Sequence, residues 1–228
     1  RARASAFFLS RILRRVAAEA LRLAHATERL ALRQAVVGVD IPIGLPDETV
    51  GSGRPAEQAA RPFLGPRQSS VFSIPGRAAV YAETYEEACR LALATSSPPR
   101  KVSRQGFAIF PKIRELDGLL TPENQARIFE THAELAFWRL NGERAMPTAK
   151  RVKSVPTREG LAERIALLVR HGMPAAFFDA RPPGIPLVDV VDAAALALIA
   201  RRCAAGIAEP FPDPPAVDAR GLRSAIWA

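Results

Sequence analysis

A short apolar run that ends in an aspartate and a proline constrains the fold of this chain most. Residues 36–39 are Val-Val-Gly-Val, and this uncharged run rich in β-branched residues predicts a short buried strand. Asp40 follows directly, and Pro42 cannot continue a central strand because it has no backbone N–H. An aspartate at the carboxyl end of such a strand lies where open α/β sheets bind ligands and metals. The alternative is that Asp40 only caps the following turn.

Composition narrows the class of protein. The chain has 228 residues, which suits one domain or two small ones with a sizeable core. The net charge of +9 is compatible with a phosphate-bearing partner such as nucleic acid, although a GC-rich genome, which favours arginine and alanine, produces the same excess. Cys89 and Cys203 are far apart and predict thiols in a reducing compartment, which we take to be the cytoplasm. No apolar run reaches the roughly 18 residues of a membrane span.

The first 35 residues carry most of the net charge, with eight arginines against two glutamates. Apolar and basic residues recur on opposite faces over residues 6–34, which predicts an amphipathic helix. Three interpretations remain open, namely a nucleic-acid-binding arm, a membrane-surface helix and a helix that packs on the sheet. We therefore divide the chain into a basic helical segment, 1–35, and a domain, 36–228.

The remaining pattern alternates between short strands and helices, which predicts an α/β domain. Residues 68–76 look extended, residues 143–156 form a loop, and the tail 207–228 is rich in loops. Apolar periodicity and capping residues place the main elements, which are helices at about 55–64, 84–95, 104–120, 133–140, 158–171 and 187–205 and strands at about 36–39 and 127–132.

Three more carboxylates lie near the predicted element ends. Glu134 falls where the second strand passes into a helix, and Asp189 and Asp192 are three residues apart near the start of the last helix. Both aspartates either point at one site or simply stabilise the positive end of the helix dipole. His132 is either a ligand-binding residue or a hydrogen-bonded scaffold residue.

Several stretches resemble one family in the same order along the chain. Asp40–Pro46 reads Asp-Ile-Pro-Ile-Gly-Leu-Pro, and this stretch is similar to the signature of predicted RNase H-like nucleases known as domain of unknown function 429. The resemblance covers roughly residues 36 to 228. The other matching stretches are 53–55 with 60–61, 64–72, 103–109 with 112–115, 129–137, 189–193 and 218–223.

The resemblance implies a fold, a chemistry and a set of site residues. The fold is an RNase H-like mixed sheet flanked by helices, with a helical insertion, and the chemistry is Mg²⁺- or Mn²⁺-dependent hydrolysis of nucleic acid. Its implied metal-binding and catalytic carboxylates are Asp40, Glu134, Asp189 and Asp192. We assign substrate binding to Arg54, Arg67, Arg104, Lys112 and His132, because arginine and lysine bind phosphate oxygens and His132 lies in a matching stretch.

The chain also departs from the family. Members open with a strand that ends in Gly-Val-Asp-Gly, and residues 1–35 contain no such motif, so either the sequence is a fragment or another segment replaces that strand. Ala133 and Val188 stand where the family has proline and aspartate. We therefore keep three hypotheses: a metal-dependent nuclease, a non-catalytic nucleic-acid-binding relative, and an enzyme acting on a small phosphorylated molecule. A nucleotide-cradling glycine loop, which would favour the third, is not visible.

Overall fold

The computed structural model describes residues 35–153 and 155–228, which contain eight strands and eight α-helices. The strands are β1 (Val37–Val39), β2 (Thr49–Val50), β3 (Ser96–Ser97), β4 (Ile128–Glu130), β5 (Arg151–Val152), β6 (Val155–Pro156), β7 (Pro210–Val217) and β8 (Arg223–Trp227). The helices are α1 (Pro55–Ala60), α2 (Arg77–Tyr81), α3 (Tyr85–Ala94), α4 (Arg104–Leu119), α5 (Ala133–Leu140), α6 (Arg158–Arg170), α7 (Ala176–Asp179) and α8 (Leu187–Ala204).

Two parallel strands, β1 and β4, position the functional region. Val37 pairs with Ile128 and Val39 pairs with Glu130, so both strands end at the same edge. Helix α8 lies against β1 at Gly38, where a Cβ atom would be 3.1 Å from the carbonyl oxygen of Leu196. A residue without a side chain is therefore what allows the helix to approach the strand this closely.

Buried apolar side chains form clusters on either side of this strand pair. One cluster joins α5, α6 and α8 through residues such as Phe137, Leu168 and Ile199. A second joins α2, α3 and α4 and includes Val80 and Phe110. A third lies between α1, α5 and β8, and these clusters together fix the helices around the edge where β1 and β4 end.

Most of the predicted helices are confirmed, and two of them, α3 and α4, begin with a side-chain cap. The Thr84 side chain accepts a hydrogen bond from the Glu87 N–H, and the Ser103 side chain accepts one from the Gly106 N–H. Helix α4 continues through Pro111. Helix α1 ends at Ala60, earlier than the predicted end at about residue 64, because residues 61–70 form a 3₁₀ segment with a non-helical Gly65. The extended chain predicted from residue 68 is therefore wrong for residues 68–70.

The prediction that residues 207–228 are rich in loops is wrong, because β7 and β8 form an antiparallel hairpin there. The prediction failed because four of the eight residues of β7 are proline, which normally excludes a strand. The ladder tolerates them through a break in register between Phe211 and Ala216. The predicted loop 143–156 likewise contains the short β5–β6 pair.

The described residues therefore form a mixed α/β protein, as predicted. Their strands pair two by two, and a bridge between Thr131 and Trp227 connects β4 to β8. The finer assignment to an RNase H-like sheet with a helical insertion stays a prediction. The predicted amphipathic helix at 6–34 lies outside the described residues. Among the described helices, none is long and apolar enough to cross a membrane.

Candidate functional site

The four predicted carboxylates come from three segments that meet at the edge of β1 and β4. Asp40 follows β1 directly and is exposed. Glu134 lies in the first turn of α5, which starts immediately after β4, and its side chain is buried. Asp189 and Asp192 lie at the start of α8, the helix that packs on β1. The parallel pairing thus gives Asp40 the sheet-edge position that the sequence predicted.

Lys150 connects these carboxylates. Its Nζ atom donates to both carboxylate oxygens of Asp192 at 2.8 Å and lies 3.5 Å from Oε1 of Glu134. The fully buried Arg164 donates from Nη2 to both oxygens of Glu134, at 3.0 and 3.2 Å. Asp189 lies 3.8 Å from the guanidinium of Arg151. Cations of the protein therefore pair with Glu134, Asp189 and Asp192, which together with Asp40 form what we call the acidic cluster.

The pKa shifts show that members of the acidic cluster interact with one another. Burial raises the pKa of Asp192, Lys150 opposes this shift, and the nearby charges of Asp40 and Glu134 add to it. Burial alone would also raise the pKa of Glu134, but Lys150 and Arg164 outweigh burial and hold it below its usual range. Burial raises the pKa of Asp189 against the attraction of Arg151. Asp40 and Glu134 therefore lie close enough to Asp192 for their charges to act on it.

The acidic cluster has the kind of ligand atoms that a divalent cation prefers, but its side chains are not arranged around a common point. Carboxylate oxygens are the ligands that Mg²⁺ and Mn²⁺ prefer. Within residues 35–153 and 155–228, however, no three histidine, cysteine, aspartate or glutamate side chains are grouped as a metal site. Lys150 bonds to both oxygens of Asp192, so its ammonium occupies the position between carboxylates that a metal ion would need.

Arg54, predicted to bind substrate, has a structural place instead. Its side chain is fully buried, and its Nε donates to Glu57 at 2.7 Å. The other guanidinium nitrogens donate to both oxygens of Glu130, at 2.6 and 3.1 Å, and to the carbonyl oxygens of Ile43 and Gly44. This buried triad of Arg54, Glu57 and Glu130 ties β4 to the loop after β1, so its donors do not face a substrate.

The other predicted substrate-binding residues lie in different surroundings. Arg67 donates to the carbonyl oxygens of Met146 and Pro147 and is 3.9 Å from Glu134, so it supports the acidic cluster. Arg104 stacks its guanidinium over the ring of Tyr85 at 4.1 Å.

Lys112 and His132 lie together with Asp40 in the lining of one pocket of about 260 Å³. Lys112 also forms an ion pair with Glu115, at 2.8 Å. Of the five predicted substrate-binding residues, these two are the ones placed beside a cavity next to the acidic cluster.

Sequence reasoning missed the roles of Lys150 and Arg164. Lys150 belongs to a basic loop segment whose partners depend on tertiary contacts. Arg164 left a clearer signal, because it falls between Leu161 and Leu168 on the buried face of α6. A charged residue at a core position of an amphipathic helix indicates a buried carboxylate partner.

These contacts define an α/β protein whose acidic cluster, neutralised by lysine and arginine, lies at the carboxyl edge of two parallel strands. The chain belongs to the family described as Protein of unknown function (DUF429), whose model matches residues 9–217. The predicted family membership is confirmed, and the match includes most of the segment 1–35. The comparison with curated proteins and the comparison with solved structures found no match.

Proposed function

We propose that this protein hydrolyses phosphodiester bonds of nucleic acid at the edge where β1 and β4 end. The observation that carries the proposal is the acidic cluster, in which Glu134 and Asp192 from two helices share Lys150, and Asp40 from a third segment lies close enough for its charge to act on Asp192. Phosphodiester hydrolysis needs an activated water molecule and positive charge beside the phosphate, and carboxylates gathered at one point commonly hold the cations that supply both. The net charge of +9 also favours a polyanionic substrate.

In this proposal Asp40, Glu134, Asp189 and Asp192 hold a magnesium or manganese ion. When bound, such an ion neutralises phosphate charge and lowers the pKa of a water ligand. Lys150 has to leave Asp192 before both carboxylate oxygens are accessible, and its freed ammonium can then bind a phosphate oxygen. Arg164 keeps its contacts with Glu134 throughout, which fixes the orientation of that carboxylate.

A specific observation also favours a second candidate, a non-catalytic nucleic-acid-binding protein. Lys150 already neutralises Asp192, so the acidic cluster can serve as an internal ion-pair network in a protein whose net charge of +9 attracts nucleic acid. The third hypothesis, an enzyme acting on a small phosphorylated molecule, uses the same edge and would show binding of a phosphate ester without binding of polynucleotide.

Calorimetric titration with Mn²⁺ and Mg²⁺ tests the first candidate against the second. We expect saturable binding by the parent protein, loss of binding in Asp40→Asn and Asp192→Asn, and tighter binding in Lys150→Met, which removes the competing ammonium. Asp179→Asn, an exposed aspartate at the end of α7, is the matched control and should bind as the parent does. Cleavage of a labelled oligonucleotide should follow the same order except in Lys150→Met, which also loses a phosphate-binding group.

Two results would refute the proposal. If neither the parent protein nor Lys150→Met binds a divalent cation, the acidic cluster is an ion-pair network and the non-catalytic candidate stands. Asp40 is exposed, so Asp40→Asn should keep the thermal midpoint of the parent. If that variant unfolds, Asp40 is a structural cap and the assigned site is wrong.

A further inference from the structure

The pocket of about 260 Å³ that contains Asp40 lies between the strand edge and helix α4. Most of its lining is apolar, formed by Pro42, Val71, Phe72, Ile74, Ile109 and Ile226. Its volume is slightly below the range of roughly 300–1,000 Å³ that encloses drug-sized ligands. A single flat ring system therefore fits this space better than a whole nucleotide.

His132 offers this pocket an unused hydrogen-bond acceptor. Its Nε2 atom is 3.3 Å from the carbonyl oxygen of Ser70, and a carbonyl oxygen can only accept, so Nε2 carries the hydrogen. In the tautomer that carries its hydrogen on Nε2, the Nδ1 atom is an acceptor. That atom is buried and has no hydrogen-bond partner in the part of the chain that the structure describes. A ligand with an N–H group on a ring would satisfy it.

An aromatic side chain adds a stacking surface. Phe72 lines the pocket and remains 38% exposed, so part of its ring is accessible to a ligand. Exposed aromatic rings are the common platform on which proteins stack unpaired bases, and stacking needs no particular base sequence.

Besides Glu57 and Glu130 of the buried triad, the lining contains a carboxylate, Asp40, and an ammonium, Lys112. Asp40 belongs to both the pocket and the acidic cluster, and Lys112 contributes an ammonium with three donors, one of which binds Glu115. A ring held in the apolar part would therefore place an attached phosphate beside a cation and a carboxylate.

From these contacts we propose that the pocket binds one unpaired nucleobase, stacked on Phe72 and hydrogen-bonded to Nδ1 of His132. This inference rests on the proposed function and refines it, because it names a substrate with an unstacked base, either a single strand or a free nucleotide. Paired bases in a duplex expose no ring face, so duplex nucleic acid would have to open first.

Fluorescence anisotropy with a short labelled single strand of deoxyadenylate tests the proposal, with an abasic strand of the same length as comparison and EDTA present to prevent cleavage. The key variant is Ala108→Phe, because Ala108 lines the pocket from the exposed side of α4 and a phenyl ring there fills the cavity. Gln105→Phe is the control, since Gln105 is exposed on the same helix and is not among the pocket-lining residues.

We expect the parent protein to prefer the base-bearing strand, and Ala108→Phe and Phe72→Ala to bind it about ten-fold more weakly, the size of one stacking contact. Gln105→Phe should behave as the parent. Competition by adenosine monophosphate at similar concentration identifies a free nucleotide as the ligand, and its failure identifies a strand.

Equal affinity for the abasic and base-bearing strands, or identical binding by Ala108→Phe and Gln105→Phe, would overturn the inference. Because the titrations contain EDTA, they do not depend on hydrolysis. Base-dependent binding without any cleavage in Mn²⁺ would therefore refute the proposed activity and leave the base pocket standing.

Discussion

Replacing Arg54 by methionine should destabilise the protein strongly. Arg54 is the cation of the buried triad, in which Glu57 and Glu130 are also almost completely buried. Methionine fills much of the same volume but donates no hydrogen bond. The variant therefore leaves two buried carboxylates and the carbonyl oxygens of Ile43 and Gly44 without their guanidinium donors, so that each carboxylate keeps only a backbone N–H.

The magnitude follows from the cost of breaking a buried ion pair. Removing one partner costs about 3–5 kcal/mol, because the remaining charge stays buried without compensation. Two carboxylates lose their partner here, and we place the deficit at the upper end, about 5 kcal/mol at neutral pH. A domain with a total stability of about 5–15 kcal/mol would lose a large share of it.

The deficit should depend on pH in one direction. Burial raises the pKa of Glu57, and it raises the pKa of Glu130 to about 7. The single guanidinium of Arg54 is shared by both carboxylates and only partly opposes these shifts. Without Arg54 both pKa values rise further. When the pKa of a carboxyl group is higher in the folded than in the unfolded protein, the folded protein loses stability as the pH rises from the unfolded pKa to the folded pKa. The variant should therefore be less impaired near about pH 5 than near about pH 8.

Urea denaturation at both pH values, followed by tryptophan fluorescence, measures the effect. Arg90→Met is the matched control, because Arg90 is 69% exposed in its side chain and lies 3.9 Å from Glu87 on the surface. The control should change the free energy of unfolding by less than about 1 kcal/mol at either pH. The reasoning is refuted if Arg54→Met loses no more than the control, or if its deficit is the same at both pH values.

Two further expectations concern single positions. Gly38→Ala should destabilise the protein by about 1–3 kcal/mol, because its Cβ would lie 3.1 Å from the Leu196 carbonyl oxygen. The Cβ of Gly118→Ala meets nothing within 4 Å, so this variant should stabilise α4 by about 0.5–1 kcal/mol. Thermal melts compare the two variants directly, and equal shifts of the midpoint would contradict the close packing of α8 on β1. Burial raises the pKa of Cys203 to about 11, so iodoacetamide at neutral pH should alkylate this thiol about 100-fold more slowly than it alkylates glutathione. Mass spectrometry measures the rate, and a rate like that of glutathione would show that the pKa of this thiol is not raised.

The sequence predicted the elements with local signals and missed those that depend on distant contacts. Thr84 and Ser103 cap their helices as predicted, because a cap needs only the next three residues. The strand before Asp40 was predictable from its uncharged β-branched residues, but its predicted burial is wrong, because Val37 is 42% exposed. The β7–β8 hairpin was not, because its proline-rich strand violates local propensity and is held by pairing with β8.

The candidate site divides in the same way. The position of Asp40 at the sheet edge followed from strand patterning, and the approach of Asp192 to Glu134 is consistent with the order of motifs along the chain. The lysine between them was not predictable, because Lys150 and Asp192 are 42 residues apart and no periodicity relates them. Arg54 was misjudged for a related reason, since an arginine in a loop looks equally suitable for phosphate and for a buried carboxylate.

The proline content of β7 has a consequence for self-association. A strand with an unpaired edge offers backbone N–H and C=O groups to any other strand, which is how many proteins aggregate. Half of the residues in β7 are proline and have no N–H to offer, so an incoming strand finds an interrupted row of donors. The same residues that concealed this hairpin from sequence patterning thus make β7 a poor template for a further strand.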